Sequence, residues 1–350
     1  MRIILGSMLC ILAGVGVGAF LLPLKFSRSW KWENSWLVAA LFMYVIFPLV
    51  TLHLVAPAYL QIYAETPVSD LLMIFLFGLI QGTGAYTFTY GTTVLGLALG
   101  YALMIGAISV VSLLVPLFGA HADRLGHLDG ITLLIGCAVL IVGVATAGRA
   151  GFAREQMKAA DAAARKPVSL PMAGLIVLWS GVANSLFYFT FEFQKVMKDL
   201  AVTKYGVPEH LWGFLNIVPF FFGMFLVNLI LTTAKMVKDK TLCNYWSAGG
   251  LGREYLLAVL IGLLWYLGQG VCYTAGHTLL GPLGVAIGAA LFMGMTMIVS
   301  NIAGIRTGEW DGVDARTRRL LYGGLAILVV AMTIVALGNY LQQQMNLLGK

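Results

Sequence analysis

Four side chains capable of chemistry recur at every fourth position of an otherwise apolar stretch: Trp265, Gln269, Tyr273 and His277. A step of four keeps side chains on one face of a helix, so together they make a single polar and aromatic stripe. Indole and phenol faces stack on C–H surfaces, while amide, hydroxyl and imidazole edges exchange hydrogen bonds. That combination suits a sugar ring, which needs both. A hydrogen-bonded seam between helices is the alternative use of the same residues. Asn184, Tyr188 and Glu192 form a second stripe at the same spacing, and Gln81, Thr83, Tyr86 and Tyr90 supply a third polar set. The expected solute-binding residues are therefore Gln81, Tyr86, Asn184, Tyr188, Trp265, Gln269 and Tyr273. Glu192 and His277 are the ionisable groups on the two stripes and the expected positions for binding a proton, histidine because it titrates near neutral pH.

Other constellations point to less. His121, Asp123, His127 and Asp129 make an H-x-D…H-x-D pattern in an expected external loop, but metal binding needs converging ligands, and no metal site is expected. The four cysteines, Cys10, Cys137, Cys243 and Cys272, are scattered without a C-x-x-C pair, which gives neither a disulfide framework nor a metal knuckle. Gly14, Gly16 and Gly18 lack the strand-to-helix setting of a dinucleotide fingerprint, so they are expected to serve close packing, and no cofactor is expected. Asp70 is placed to cap a helix rather than to titrate.

The elements that position these residues follow from composition. Hydrophobic residues make up 60% of the 350 and charged residues only 11%, with a mean hydropathy of +0.89, whereas soluble domains carry about 25% charged residues. The surroundings of most of this chain must be lipid. Ten apolar segments of membrane-spanning length are expected near 3–24, 36–56, 70–88, 93–119, 130–148, 170–192, 211–231, 254–275, 283–303 and 320–338. Helices are the open-chain solution in a bilayer, because each backbone amide must be satisfied within its own segment. The fold class expected is an all-α membrane protein. The first segment, with Arg2 ahead of it, is read as a span rather than a cleaved signal.

A net charge of +7 could suggest nucleic acid, but the basic residues lie in short segments between spans rather than on one face. Sixteen of the 22 Lys and Arg residues fall on one side of a ten-span arrangement. That side is expected to be cytoplasmic, with both termini periplasmic in an inner membrane. The expected partners are the lipid bilayer, a small solute and a proton, with no nucleic acid; oligomeric state leaves no signal in the sequence.

The chain also resembles itself. Offset by 188 residues, LGLALGYALMIG at 95–106 aligns with LGVAIGAALFMG at 283–294, and Gln81-Gly82 falls on Gln269-Gly270. Five spans separate the copies, and an odd displacement reverses direction through the membrane, so the halves should be inverted. The expected division is a first five-helix repeat at 1–148, a cytoplasmic linker at 149–169 and a second repeat at 170–350. Inverted repeats hold a solute site near mid-membrane, where Gln81 and Gln269 would approach from opposite halves.

The W-x-W-E…W run of Trp30, Trp32, Glu33 and Trp36, after Pro23 and Lys25, resembles the L-rhamnose–proton symporter family of the drug/metabolite transporter superfamily. The likeness continues through Phe75-Leu76-Phe77-Gly78, the glycine-spaced fourth segment, Trp265-Tyr266-Leu267, Tyr273, Gly276-His277 and Glu309-Trp310, and covers nearly the whole chain. Segments six, seven and nine depart from it, the Glu192 stripe included. The resemblance implies ten helices in inverted halves and proton-coupled uptake of a deoxyhexose such as L-rhamnose. An exporter of metabolites or drugs with the same fold, and a membrane-embedded transferase, are the alternative readings.

Overall fold

The computed structural model describes residues 1–94, 103–109, 111–112, 118, 122–159, 170–247, 249–281 and 283–347. All regular secondary structure among them is helical. Nine helices among the described residues are long and apolar enough to cross a bilayer. They are α1 (Arg2–Phe26), α2 (Trp32–Val55), α3 (Val68–Val94), α4 (Leu128–Ala159), α5 (Leu170–Phe193), α6 (Gly213–Asp239), α7 (Leu251–His277), α8 (Gly284–Arg306) and α9 (Ala315–Leu347). The chain is an all-α, multi-pass membrane protein. Most of the expected fourth segment, 93–119, lies outside the described residues.

Several helices outrun their apolar stretches. Hydropathy marks where the hydrocarbon ends, but backbone hydrogen bonding continues into the interface, where long charged side chains reach water. Thus α6 extends to Asp239, with Lys235 donating to the Asp239 carboxylate at 2.5 Å. Likewise α4 runs to Ala159, so the described part of the expected linker is helix.

Two of the helices contain wide turns. In α2 a π-helical turn spans Phe42–Ile46 just before Pro48. Proline lacks a donor and its ring clashes with the carbonyl four residues back, and a widened turn relieves both. In α7 the π segment spans Tyr266–Tyr273.

Helix packing crosses between the two halves of the sequence. α1 lies against α7 and α8, α2 against α6 and α7, α3 against α5 and α6, and α4 against α9. Small residues permit these approaches. A Cβ added to Gly14 would come within 2.6 Å of the Met295 Cβ on α8, and one on Gly16 within 2.8 Å of the Leu264 carbonyl oxygen on α7. The packing role expected of these glycines is met.

The loops rich in Lys and Arg gather at one end of the bundle. There the Glu254 carboxylate, buried at the start of α7, accepts from Ser27 Oγ at 2.5 Å, Arg28 N at 2.9 Å and Ser29 N at 3.1 Å, and so fixes the connection between α1 and α2. At the opposite end Lys204 pairs with Glu65 at 2.5 Å. That ammonium and the Tyr205 hydroxyl hold the Glu65 carboxyl below the usual range.

Candidate functional site

Gln81, Ala85 and Phe88 occupy one face of α3, because steps of four and seven residues return to nearly the same side of a helix at 3.6 residues per turn. They form one wall of an internal cavity of about 110 Å³. Asn184 and Tyr188 of α5, Met224 of α6, Trp265 and Gln269 of α7, and Phe292 and Thr296 of α8 close the other sides. Five of the seven expected solute-binding residues thus converge on one space: Gln81, Asn184, Tyr188, Trp265 and Gln269.

Tyr86 and Tyr273 do not line it. Tyr86 lies five residues past Gln81, which turns it about 140° away on a helix. Tyr273 is fully buried, donates its hydroxyl to the Val285 carbonyl at 3.0 Å, and packs among Phe187, Phe191 and Phe292. It sits eight residues beyond Trp265, at the far end of the π-helical segment of α7. His277 lies further still in the same direction, its ring 4.5 Å from Phe191 and stacked on Tyr273, with Nδ1 3.0 Å from the Tyr273 carbonyl oxygen. The Glu192 and Tyr90 side chains, His121, the Asp123 side chain and the repeat glycines Gly96 and Gly100 lie outside the described residues. Among the described residues no three His, Cys, Asp or Glu side chains converge as metal ligands.

The polar groups in the cavity are partly committed to the protein. Gln81 Oε1 accepts from the Phe187 backbone N–H at 3.0 Å, which orients the amide while its Nε2 remains a donor. Asn184 Nδ2 donates to the Ser180 carbonyl at 2.9 Å. The Tyr188 hydroxyl is buried without a hydrogen-bond partner among the described residues, an expensive arrangement unless something in the cavity bonds it. The side-chain amide of Gln269 likewise makes no hydrogen bond to a described residue and borders the same space.

Sequence periodicity missed the aromatic wall. Trp32 and Trp36 stack with centroids 5.5 Å apart and both line the cavity, and Trp36 is held by donating Nε1 to Asn228 Oδ1 at 2.9 Å. Tyr44, within the π-helical turn of α2, meets Trp265 edge to face at 5.1 Å. Their signal was the spacing of Trp32, Trp36 and Tyr44, four and then eight residues apart, with the two tryptophans at the edge of an apolar run, where tryptophan is ordinarily read as an interfacial anchor. Among the described residues no charged side chain lines the cavity. It offers aromatic faces and neutral hydrogen-bonding groups, which suits an uncharged polar molecule. The space is several times the minimum of about 10 to 15 Å³ that admits a single water.

A second cavity of about 100 Å³ shares Val17, Phe20 and Leu21 with the first and lies toward the Lys/Arg-rich end. At its rim Glu309 pairs with Lys25 and with Arg154 at 3.1 Å, and the Arg154 guanidinium sits 4.8 Å over the Trp310 ring. Burial alone would raise the Glu309 carboxyl, but the Lys25 and Arg154 cations outweigh it and hold the group below the usual carboxylate range.

Comparison with known proteins gives one family. The family model described as "L-rhamnose-proton symport protein (RhaT)" matches residues 1–340. A curated protein of Cronobacter sakazakii named L-rhamnose-proton symporter is 29% identical over 344 residues, covering 96% of this chain and 98% of its own length. Proteins of the same name from Escherichia coli O1:K1 / APEC and Citrobacter koseri are 28% and 27% identical, each covering 94% of this chain and 96% of their own length.

Proposed function

Since the chain belongs to the L-rhamnose-proton symport protein family, we propose that it is a secondary transporter that takes up L-rhamnose, or a closely related deoxyhexose, together with a proton across the inner membrane. The observation that carries this reading to the site is the neutral, indole-walled cavity between the two halves of the chain. A 6-deoxy sugar has an apolar methyl and ring face to stack on Trp36 and Trp265, and hydroxyls to pair with Gln81, Asn184, Tyr188 and Gln269. A phosphorylated or carboxylate solute would be left without a counter-charge there.

We further infer that the first repeat and the second are inverted copies. Exchanging segments one to five with six to ten maps α3 on α6 onto α7 on α2, and α3 on α5 onto α7 on α1, and each pairing has its counterpart. The contact of α1 with α8 is answered by α5 with the fourth segment, where Ser185 Oγ donates to the Ile108 carbonyl at 3.3 Å. Gln81 and Gln269, mates in the repeat, border one cavity, which fits alternating access around a central site. The charge bias orients the Lys/Arg-rich end toward the cytoplasm and both termini toward the periplasm, and a C-terminal fusion to a reporter active only in the cytoplasm would overturn this if it gave signal.

Glu192 and His277 are the proposed proton-coupling groups, on the periplasmic side of the sugar. Labelled rhamnose should accumulate in vesicles only under an inward proton gradient, and Glu192→Gln or His277→Gln should abolish accumulation while sparing exchange. Accumulation without a gradient would sink the symport reading, and intact coupling in the double variant would exclude both residues.

A further inference from the structure

We infer that the second cavity is the chamber through which the sugar leaves the central site toward the cytoplasm, an assignment that rests on the transport reading above. The two cavities are consecutive spaces along the same two helices. On α1, Val17, Phe20 and Leu21 border both, and Lys25, one turn further, borders only the second. On α8, Met293 and Thr296 face the first while Met297, Ser300 and Asn301 face the second. Thr296 and Ser300 are one helical turn apart, about 5 to 6 Å. The step between the spaces is therefore shorter than the sugar itself, with Phe20 and Leu21 as the shared wall it must pass.

The chemistry of the second space fits a passage. Its walls carry hydrogen-bonding side chains of their own, several of them charged: Ser300, Asn301, Lys25, Arg154 and Glu309. Ser300 Oγ and Asn301 Nδ2 each donate to the Met297 carbonyl, at 3.0 and 2.8 Å, so both keep an acceptor for a hydroxyl group. The charged groups are engaged with one another around Glu309, and a neutral sugar is offered no competing charge that would trap it. The opposite way out of the central cavity is filled. Beyond Tyr188 and Gln269, Phe187 packs against Phe191, Phe220, Phe221 and Tyr273 with ring centroids 5.2 to 5.8 Å apart. Among the described residues, the route with a neighbouring space is the one toward the Lys/Arg-rich end.

Ala303 borders the second cavity and not the first, so enlarging it should narrow the passage and leave the sugar site intact. In the series Ala303→Val, Ala303→Leu and Ala303→Phe, rhamnose binding to purified protein should stay within about twofold of the native chain. Uptake into vesicles should fall in order of side-chain size, by at least tenfold for Ala303→Phe. Native uptake by an Ala303→Phe protein that still binds sugar would overturn the chamber. A second measurement needs no sugar. With exposed Cys243 replaced by Ser, a small membrane-impermeant thiosulfonate applied from the cytoplasmic side should label Thr296→Cys, and Ala303→Phe or Ala303→Leu should slow that labelling at least tenfold. Unchanged labelling overturns the assignment even if the larger variants lose uptake through misfolding. Absence of rhamnose binding by the native chain, with labelling still blocked, would instead refute the sugar reading and leave the passage standing.

Discussion

Replacing Tyr188 by Phe removes one oxygen and little else. The ring is fully buried and held edge to face against Phe187 and Tyr273 at 5.6 and 5.2 Å, so the phenylalanine should keep its place. The hydroxyl has no hydrogen-bond partner among the described residues, so the unliganded protein loses no internal hydrogen bond to them. It is spared instead a buried polar group, whose desolvation costs about 1 to 3 kcal/mol when unmatched. The melting temperature of purified Tyr188→Phe should be unchanged or raised. Sugar binding should move the other way. A net hydrogen bond is worth about 0.5 to 1.5 kcal/mol, and at about 1.4 kcal/mol per decade its loss weakens affinity roughly 2- to 12-fold. Calorimetric titration with rhamnose and a thermal melt on the same preparation read both quantities. Native affinity in Tyr188→Phe, or a fall in melting temperature with affinity kept, would show that the hydroxyl serves packing and that the sugar lies elsewhere.

Gln269→Ala should weaken rhamnose binding by roughly 5- to 150-fold, from about 1 to 3 kcal/mol of unmatched polar groups, and Trp265→Ala should weaken it too by removing a stacking face. Unchanged affinity in both, by the same titration, would remove the sugar from this cavity. Glu309 predicts a pH dependence of stability. Its folded value lies below the unfolded one of about 4.3, so its paired, ionised form stabilises the protein above that pH and the contribution is lost as pH falls through the folded value. Melting temperature should therefore drop between about pH 5 and pH 3, and more steeply in the native protein than in Glu309→Gln; parallel curves would exclude Glu309 as a source of the loss.

Hydropathy located every described spanning helix, because exclusion of unpaired backbone from lipid leaves the chain few options. The residues of the cavity were legible where two constraints met. Gln81 and Gln269 were marked both by their cost in lipid and by the internal repeat, and both border the space. Tyr273 and Tyr86 show the limit of a stripe. Periodicity gives the face of a helix and not the depth along it, so Tyr273 shares Gln269's side yet lies in the aromatic packing beyond it. Tyr86 was grouped by polarity alone and turns away from Gln81. Trp32 fell just outside the apolar window of its helix and Trp36 at its first position, where only the three-dimensional fold brings them inward. The pairing of Glu309 with Lys25 and Arg154 joins positions up to 284 residues apart, a contact that no local pattern encodes.

The crossing of helix contacts between halves bears on how the chain is made. The main packing partners of α1, α2, α3 and α4 among the described residues all come from α5 to α9, so when a ribosome has released α4 into the membrane the main described partners of these helices have still to be made. Surfaces such as Gly14, Gly16 and Gly18 must wait against lipid until α7 and α8 arrive, and assembly is completed only late in synthesis. Severed near residue 165 and expressed as two genes, neither piece should persist alone, while the pair should find each other in the bilayer. Such a split would also let each half be tagged, altered or degraded independently, turning the order of insertion into something an experimenter can time.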